Sequence, residues 1–522
     1  MQNKFFGTRF TLRLLTVALF ILLAVAGFGF SAYLFVVSKS LYMYIISIMF
    51  LALSIIAGLF NISASIMYYR SYYYGTYLEK IKQTLKPMES FPTVALAVPV
   101  YNENPDIVKR TFDEILTMNY PKDKIRFYLL DDSTKSDVVR ELRSYALQKG
   151  IVYMHRRNRK GYKAGALNKM LKASKEEFLA IFDYDEKLIN KNFLMDLLPY
   201  FQDEKMSYLQ TEKTHSKGNL FSDSVKMFDA FFFKFIEPAR ALNNTAIFAG
   251  SCGIIRMQYL KKMGGFPEYV IEDTFFSFKS DISDYKSIYV PKVYALGKPI
   301  KTFTELVKQQ WRYNYGDTQF LKYFFKNNKY FNKDRSTSVQ KMDYLVHGLG
   351  LNYLSVVLIM FTVISILIVF SAAPFVNLTA QQLLSGKYIG LDLEIFGSLA
   401  FLLSFMVPVI LTKIYFNSIT KGFMLFALNF ALAFVRAKAA IAAVLKRSPA
   451  IHWNRNNASA NLKGLKKLLF SIMNTKIEVM FSGLIFTLSL FAVMNNHFTG
   501  GLWLLLYGFM YLFTTIFLYK YG

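Results

Sequence analysis

Hydrophobic residues concentrate at the two ends of the chain. Residues 15–37 form an uncharged run long enough to span a bilayer, which takes about 20 residues, and a second such run covers 41–67. Basic residues precede the first run and follow the second: Lys4, Arg9, Arg13, Arg70, Lys80, Lys82 and Lys86. Because cytoplasmic flanks are enriched in Lys and Arg, residues 1–89 are predicted to form a transmembrane hairpin and linker with both ends inside.

Apolar runs return in the C-terminal part, at 349–373 and 395–412, and again at about 479–494 and 501–519. A further run at 422–435 has only 14 residues before Arg436. If that run spanned the membrane, the basic block 455–476 would lie outside, against the charge rule. The pattern therefore predicts an interfacial or re-entrant helix at about 420–446 within a C-terminal transmembrane domain, 336–522. About six spans with both termini cytoplasmic are expected in total.

The middle of the chain, residues 90–335, has no span-length apolar run. Short β-rich runs alternate with amphipathic stretches: TVALAVPVY, PDIVKRTFDEIL, KIRFYLLDD, SDVVRELRSYALQ, GIVYMH, KAGALNKMLKAS and EFLAIFDYD. This βαβα order predicts an α/β domain built on a mostly parallel sheet. The domain is expected in the cytoplasm, between the two membrane domains.

Charge and cysteine content narrow the chemistry. The formal net charge of +27 is typical of membrane proteins that hold Lys and Arg inside, so membrane lipids and anionic substrates are expected as partners rather than nucleic acid. A single cysteine, Cys252, excludes an intramolecular disulfide, and the five histidines show no zinc spacing. A bound metal is therefore expected to be a hard cation such as Mg²⁺ or Mn²⁺ with oxygen ligands.

Polar residues stand at three successive predicted strand ends: Tyr101 to Glu103, Asp131-Asp132, and Asp183-Tyr184-Asp185. Ligands of open α/β sheets bind beyond these ends, although each cluster alone could also cap a helix or turn. Asp183 and Asp185 face the same way in an extended segment, so together they could hold one divalent cation with diphosphate oxygens.

Three later stretches also carry chemistry. KAGALN, with Lys163, opens a predicted helix suited to phosphate contact. Glu272-Asp273 could be a helix N-terminal pair stabilised by the dipole, or a general base with a raised pKa. The stretch 308–317, KQQWRYNYGD, combines amide, guanidinium and aromatic groups shortly before the membrane domain.

The motifs VPVYNE, LDDS, KAGALN, DYD, GSCGIIR, GGFP…IED and QQWRY occur in the order of the membrane-embedded family 2 glycosyltransferases. The chain resembles the cellulose, chitin and hyaluronan synthases over roughly 90–320. The resemblance implies a GT-A catalytic domain that binds a nucleotide-diphosphate sugar. The residues it implies as donor or nucleotide contacts are Tyr101, Glu103, Asp131 or Asp132, Lys163, Asp183 and Arg312.

The resemblance also assigns catalytic roles. Asp183 and Asp185 match the metal and diphosphate motif, and Asp273, next to Glu272, matches the base that deprotonates the acceptor hydroxyl. The residues implied on the acceptor side are Gln309, Trp311 and Tyr313. The sequence departs from the family pattern at Ile271, where Thr is usual, at Tyr313, where Trp is usual, and at QTEKTH (210–215), which replaces Q-T-P.

Three functions compete. The first is an inverting, metal-dependent polysaccharide synthase that takes a UDP-sugar and secretes its product. The match of Gln309, Arg312 and Tyr313 to the family's Q-x-x-R-W motif favours it. The second is a non-processive transferase with a lipid or polyisoprenoid acceptor. A transporter is disfavoured because the predicted spans contain few polar or Gly/Pro-broken segments.

Overall fold

The computed structural model describes residues 10–37, 40–327, 337–370, 406–447 and 462–522. The elements up to residue 215 are α1 (Phe10–Val37), α2 (Leu41–Thr84), β1 (Val94–Val100), α3 (Pro105–Ile115), β2 (Ile125–Asp131), α4 (Ser136–Gln148), β3 (Val152–His155), α5 (Tyr162–Ala173), β4 (Phe178–Ile181), β5 (Lys187–Leu188), α6 (Phe193–Leu197), β6 (Met206–Thr211) and β7 (Thr214–His215). Those that follow are α7 (Leu220–Phe231), α8 (Glu237–Ala241), β8 (Gly253–Arg256), α9 (Met257–Lys262), α10 (Glu272–Ile282), β9 (Lys286–Val290), β10 (Ala295–Gly297), α11 (Phe303–Lys326), α12 (Ser338–Val369), α13 (Met406–Phe416), α14 (Ile419–Val444), α15 (Gly464–Asn474), α16 (Lys476–Met494) and α17 (Phe498–Tyr521).

The central domain is built on a seven-stranded sheet of order β3-β2-β1-β4-β8-β6-β9. The pairs β1–β2, β1–β4, β2–β3 and β6–β9 are parallel, whereas β8 runs antiparallel between β4 and β6. The βαβ reading of the sequence is therefore confirmed, with one reversed strand. A small second sheet, β5-β10-β7, lies beside the main one.

Strand β1 shows how the two faces of the sheet are covered. Val94, Leu96 and Val98 pack into one buried cluster, whereas the alternate residues Ala95 and Ala97 pack into another. The second cluster contains Ala164, Ala166 and Leu167 of α5, so small side chains on both elements let this helix lie close to the sheet. With helices on both faces, β1 is fully buried and its C-terminal end opens into the crevice where ligands of such sheets bind.

Four helices in the described ranges are long and apolar enough to cross a membrane: α2, α14, α16 and α17. Helix α12 makes a fifth if its two halves, Ser338–Gly350 and Ser355–Val369, form one bent span. The described residues thus support four or five spans instead of the six expected. The apolar part of α1, Leu14–Gly29, is shorter than a span, and most of the predicted span at 395–412 lies outside the described residues.

The helix predicted at about 420–446 is present as α14, and its interfacial or re-entrant placement stays a prediction. Helix α14 runs unbroken for 26 residues through Arg436 and Lys438, so it meets the length and composition of a span. Arg436 is tolerated because it is fully buried against protein: its Nε donates to Gln310 Oε1 at 3.0 Å and its Nη1 to Asn429 Oδ1 at 3.1 Å. A charge count along the sequence treats such an arginine as facing water or headgroups. The apolar run was therefore ended at Arg436 and looked too short to span a membrane.

Candidate active site

The carboxyl ends of β2, β1 and β4 are neighbours in the sheet, so the three polar clusters predicted at strand ends lie along one edge. Glu103, after β1, interacts with the phenol of Tyr184, after β4. Burial raises the pKa of Glu103, and Tyr184, Lys298 and Arg159 only partly oppose this. The structure therefore brings the first and third clusters into direct contact.

Around the end of β2 the two aspartates have different surroundings. Asp131 is fully buried and accepts hydrogen bonds from the Ser133 amide at 2.8 Å and the Tyr153 hydroxyl at 2.6 Å. Asp132 is paired with Arg156, whose Nε lies 2.6 Å from Asp132 Oδ1. Both carboxylates are thus buried and held by protein groups, and a nucleoside contact of Asp131 or Asp132 stays a prediction.

Tyr101 lies on the same side of the cleft. The guanidinium carbon of Arg159 is 3.5 Å from the centre of its ring, which is a close cation–π contact. A stacked arginine and phenol ring present a flat face together with positive charge. That combination suits a nucleoside, as predicted for Tyr101.

The Asp183 carboxylate is held between two lysines. Lys163 Nζ lies 2.7 Å from Asp183 Oδ1 and also donates to the Gly250 carbonyl at 3.0 Å. Lys213 Nζ lies 3.3 Å from Asp183 Oδ2. Although burial opposes ionisation, these cations hold the pKa of Asp183 far below its usual range. Lys163 is therefore part of the predicted metal and diphosphate motif itself.

The pKa of Asp185 is shifted in the opposite direction from that of Asp183. Burial and the neighbouring Asp183 and Glu186 raise its pKa to about 6. In the described ranges Asp185 forms no ion pair within 4 Å, unlike Asp183. A partly buried carboxylate with excess negative charge around it would be stabilised by an added cation.

Helix α10 begins at Glu272, so both acids of the IED motif lie in its first turn. A Cβ placed on Gly250 would lie 3.1 Å from Asp273 Oδ2 and 3.6 Å from Lys163 Nζ. The candidate base and the DYD motif are therefore joined through the Gly250 loop and Lys163. Burial followed by Asp273 raises the pKa of Glu272 to about 7, and burial likewise raises the pKa of Asp273.

Helix α11 carries the QQWRY segment and starts with a capping box between Thr302 and Glu305. Its Gly316 packs against Ile271, where a Cβ would come within 2.6 Å of the Ile271 side chain. This close approach places Arg312 near the first turn of α10, and Glu272 and Asp273 contribute to the raised pKa of Arg312. Isoleucine at position 271, where the family usually has Thr, is thus compatible with the packing, because the residue facing it is glycine.

Gln309, Arg312 and Tyr313 share the side of α11 that faces the cleft. Gln309 Nε2 lies 3.4 Å from the Tyr313 hydroxyl, and the Tyr313 side chain is 36% exposed. Trp311 does not join them. It packs against apolar clusters that include Ala439, Ala442 and other residues of α14, since it lies about 160° around the helix from Tyr313. In this structure the indole packs on α14, and an acceptor contact of Trp311 stays a prediction.

Several polar residues at the centre of the cleft were not predicted. Glu186 is buried and accepts from the Asp183 amide at 2.8 Å, and the Ser251 hydroxyl lies 2.7 Å from both Asp183 and Glu186. Lys213 contacts the same group from the β6–β7 connection. The only sequence signal was its place in QTEKTH, where the chain departs from Q-T-P: Glu212 stands at the proline position, and Lys213 follows it with a partly buried cation.

A histidine–aspartate pair lies near Tyr313. His215 Nδ1 is 3.3 Å from Asp229 Oδ2, and Asp229 contributes to the electrostatic surroundings of Tyr313. Burial is the largest influence on both, lowering the pKa of His215 and raising the pKa of Asp229. This pair is separate from the diphosphate motif and completes a polar rim around the Tyr313 ring.

The residues present fit a divalent cation only in part. In the described portion of the chain, no three His, Cys, Asp or Glu side chains gather in a metal-binding arrangement. Asp185 is available, whereas both oxygens of Asp183 already contact lysines or Ser251. Such a donor set suits a cation that arrives with a diphosphate and takes most of its ligands from it, as Mg²⁺ commonly does.

Comparisons with known proteins agree with this arrangement. Residues 95–264 match the family "Glycosyl transferase family 2". The chain is 31% identical over 242 residues to a cellulose synthase catalytic subunit (UDP-forming) of Pseudomonas fluorescens, covering 45% of this chain and 32% of that protein. It is 29% identical over 259 residues to glucomannan 4-beta-mannosyltransferase 1 of Cyamopsis tetragonoloba, covering 47% of this chain and 49% of that protein.

Among solved structures, the mannosyltransferase PcManGT of Pyrobaculum calidifontis, determined with GDP-Man and Mn²⁺, matches with a TM-score of 0.47 and 18% identity. That match covers 75% of this chain and 100% of PcManGT. The chain spans half or less of the length of the curated relatives named above. Residues 95–264 are thus similar to the family 2 glycosyltransferases, and apolar helices of span length precede and follow this segment in the described parts of the chain.

Proposed function

We propose that this protein is an inverting, metal-dependent glycosyltransferase that transfers a sugar from a nucleotide-diphosphate donor to a growing polysaccharide at the membrane. The observation that carries the proposal is the Lys163 ammonium, which contacts both Asp183 and the Gly250 loop beside Asp273. One cleft thus holds a diphosphate motif and a candidate base. The relatives named as cellulose and glucomannan synthases support a polysaccharide as product.

The donor would enter along the strand ends. Tyr101 with Arg159 and Asp132 with Arg156 would bind the nucleoside, and Glu103 lies behind them. Lys163, Lys213 and Arg312 would face the diphosphate with positive charge, which favours departure of an anionic leaving group. A divalent cation at Asp185, with Asp183 nearby, would supply further charge stabilisation when bound.

The acceptor hydroxyl would be deprotonated by Asp273. Burial raises its pKa, which makes it a better proton acceptor than an ordinary aspartate, and Glu272 lies beside it. Because a diphosphate leaves without needing a proton, one base suffices for direct displacement with inversion. Gln309 and the Tyr313 ring would hold the acceptor sugar by its hydroxyls and its apolar face.

We further propose that the product crosses the membrane through the helices that pack on α11, with the catalytic domain and both termini cytoplasmic. Support comes from α14, which buries Arg436 against Gln310 of α11, so the helix bearing Tyr313 is packed directly on a candidate span. The alternative is a transferase that adds one sugar to a lipid or polyisoprenoid acceptor. It would use the same catalytic groups and release a product of fixed size.

The test uses the purified full-length protein in detergent with Mn²⁺ and a panel of UDP- and GDP-sugars. Nucleotide release and product size are measured in parallel. Release from one donor with products of many sizes supports the polymerase, whereas a single-addition product supports the alternative. No release from any nucleotide sugar would refute both.

A further inference from the structure

The cleft face of α11 extends beyond Tyr313. Gln309, Tyr313 and Asp317 are spaced by four residues, so they lie one above the other along one side of the helix. One such step advances about 6 Å along the axis. An amide, a phenol ring and a carboxylate therefore form a continuous ladder, of which the resemblance to known synthases assigned only the first two.

Asp317 has an unusual environment for a carboxylate. It is partly exposed, yet no hydrogen bond or ion pair to it occurs within the described parts of the chain. Burial, with a smaller contribution from Asp273, raises the pKa of Asp317 well above its usual range. A carboxylate so placed has unused acceptor capacity, and leaving that capacity unused inside protein is costly.

The neighbouring helix approaches Asp317 closely. Gly350 of α12 has φ 37° and ψ −131°, which interrupts the helical backbone, and a Cβ there would lie 3.4 Å from Asp317 Oδ2. The apolar half of α12, Ser355–Val369, begins just beyond this break. Asp317 therefore stands between the Tyr313 ring and a candidate membrane helix.

The chemistry of the site selects the kind of ligand. A diphosphate would need cationic groups, and no Lys or Arg pairs with Asp317 in the described parts of the chain. A metal ion would need several protein ligands, and among the described residues no three His, Cys, Asp or Glu side chains gather in a metal-binding arrangement. The remaining class of ligand is neutral, donates hydrogen bonds and packs on an aromatic ring face. A sugar with its hydroxyls has these features.

We propose that Asp317 binds hydroxyl groups of the acceptor chain one helical turn beyond the sugar held at Tyr313, and so sets how firmly a growing product is retained. This inference rests on the proposed function, because it needs a sugar acceptor. It assigns Asp317 to acceptor binding and gives it no part in donor binding or in the transfer step.

The variants are Asp317→Ala, Asp317→Asn and the control Asp123→Asn, which removes the same charge from an exposed turn far from the cleft. The full-length protein is assayed in detergent with Mn²⁺ and UDP-glucose or GDP-mannose. Three quantities are measured: nucleotide released with water as acceptor, KM for added cellohexaose or mannohexaose, and the unfolding temperature.

Loss of a hydrogen bond to the Asp317 carboxyl group should raise the acceptor KM roughly tenfold in Asp317→Ala and shorten the product. Nucleotide release to water and the unfolding temperature should stay as in the unchanged protein and in Asp123→Asn. Asp317→Asn keeps the shape and one acceptor oxygen, so its KM should lie between the two. It also decides the matter if the alanine variant does not fold.

An unchanged acceptor KM and product length in folded Asp317→Ala or Asp317→Asn would overturn the inference while leaving the proposed function intact. A fall in unfolding temperature with a parallel fall in water-acceptor release would also overturn it, since it would show that Asp317 serves the packing of α11 on α12. Failure of the unchanged protein to release nucleotide from any donor would instead overturn the proposed function, and this inference with it.

Discussion

Arg436 Nε donates a hydrogen bond to Gln310 Oε1 at 3.0 Å, joining two helices whose paired residues are 126 positions apart. Both side chains are buried, and the guanidinium also lies 5.6 Å from the ring of Phe228 in α7. The helix that carries the acceptor-side residues is thereby fixed to a helix of membrane-span length.

The first prediction concerns this contact. Gln310→Leu would leave the buried Arg436 Nε without its partner and should lower the free energy of unfolding by about 1–3 kcal/mol. Lys308→Ala, on the exposed side of the same helix, should change it little. Thermal unfolding of both variants in one detergent measures the difference, and equal unfolding temperatures would contradict it.

The second prediction concerns the metal. Asp185→Asn removes the carboxylate that has no ion pair, so the concentration of Mn²⁺ giving half-maximal activity should rise and maximal activity should fall by orders of magnitude. Asp196→Asn, a carboxylate outside the cleft that pairs with Lys292, is the control. Full activity of the unchanged protein in excess EDTA would rule out a metal requirement.

The third prediction concerns Asp273. Asp273→Asn should lower kcat by roughly 10²–10⁴-fold while donor affinity stays nearly constant, because a base acts in the transition state and not in donor binding. If Asp273 instead only caps the helix, the substitution should lower both the stability of the protein and its affinity for the donor. Calorimetric titration with donor, beside kcat, separates the two.

The fourth prediction concerns pH. Glu272 has a pKa raised to about 7, and Asp273 is shifted in the same direction. The folded state therefore holds more protons than the unfolded chain between pH 4.5 and 7, so the contribution of this pair to stability falls as pH rises through that window. Activity should change in the opposite sense: it should fall as the pH drops, because protonation of Asp273, whose pKa is raised, removes the base. A kcat/KM profile that stays flat from pH 7.5 to 5 would contradict the assignment.

The fifth prediction separates Arg312 from Tyr313. Arg312→Ala removes a charge-assisted contact worth about 1.5–3 kcal/mol and should reduce nucleotide release even with water as acceptor. Tyr313→Ala removes a ring-face contact worth about 0.5–1.5 kcal/mol beyond its buried area, so release should survive while product length falls. Tyr313→Trp should keep or lengthen the product. If product length is the same in all folded variants, the ring does not hold the acceptor.

The parts of the fold and the candidate site that depend on local sequence could be predicted. The strands, the helices between them and the acidic strand ends were predicted because alternation and amphipathic periodicity are local properties of the chain. The DYD motif, the IED acids and Arg312 were found from spacing and order. Parallel strands β2, β1 and β4 necessarily bring their carboxyl ends to one edge, so the meeting of Glu103 with Tyr184 was implicit in that order.

Only the tertiary structure decided which groups are satisfied and which are available. Lys163 and Lys213 reach Asp183 from different elements, whereas Asp185 forms no ion pair within the described residues, and no local pattern encodes such long-range pairing. The facing of α11 likewise needed its neighbours: packing on α14 turns Trp311 away from the cleft, and Gly316 against Ile271 turns Tyr313 and Asp317 into it. Arg436 is buried against protein within the 26-residue helix α14. A charged side chain surrounded by protein does not face lipid, so it does not exclude a helix of span length, and the sequence alone does not show this burial.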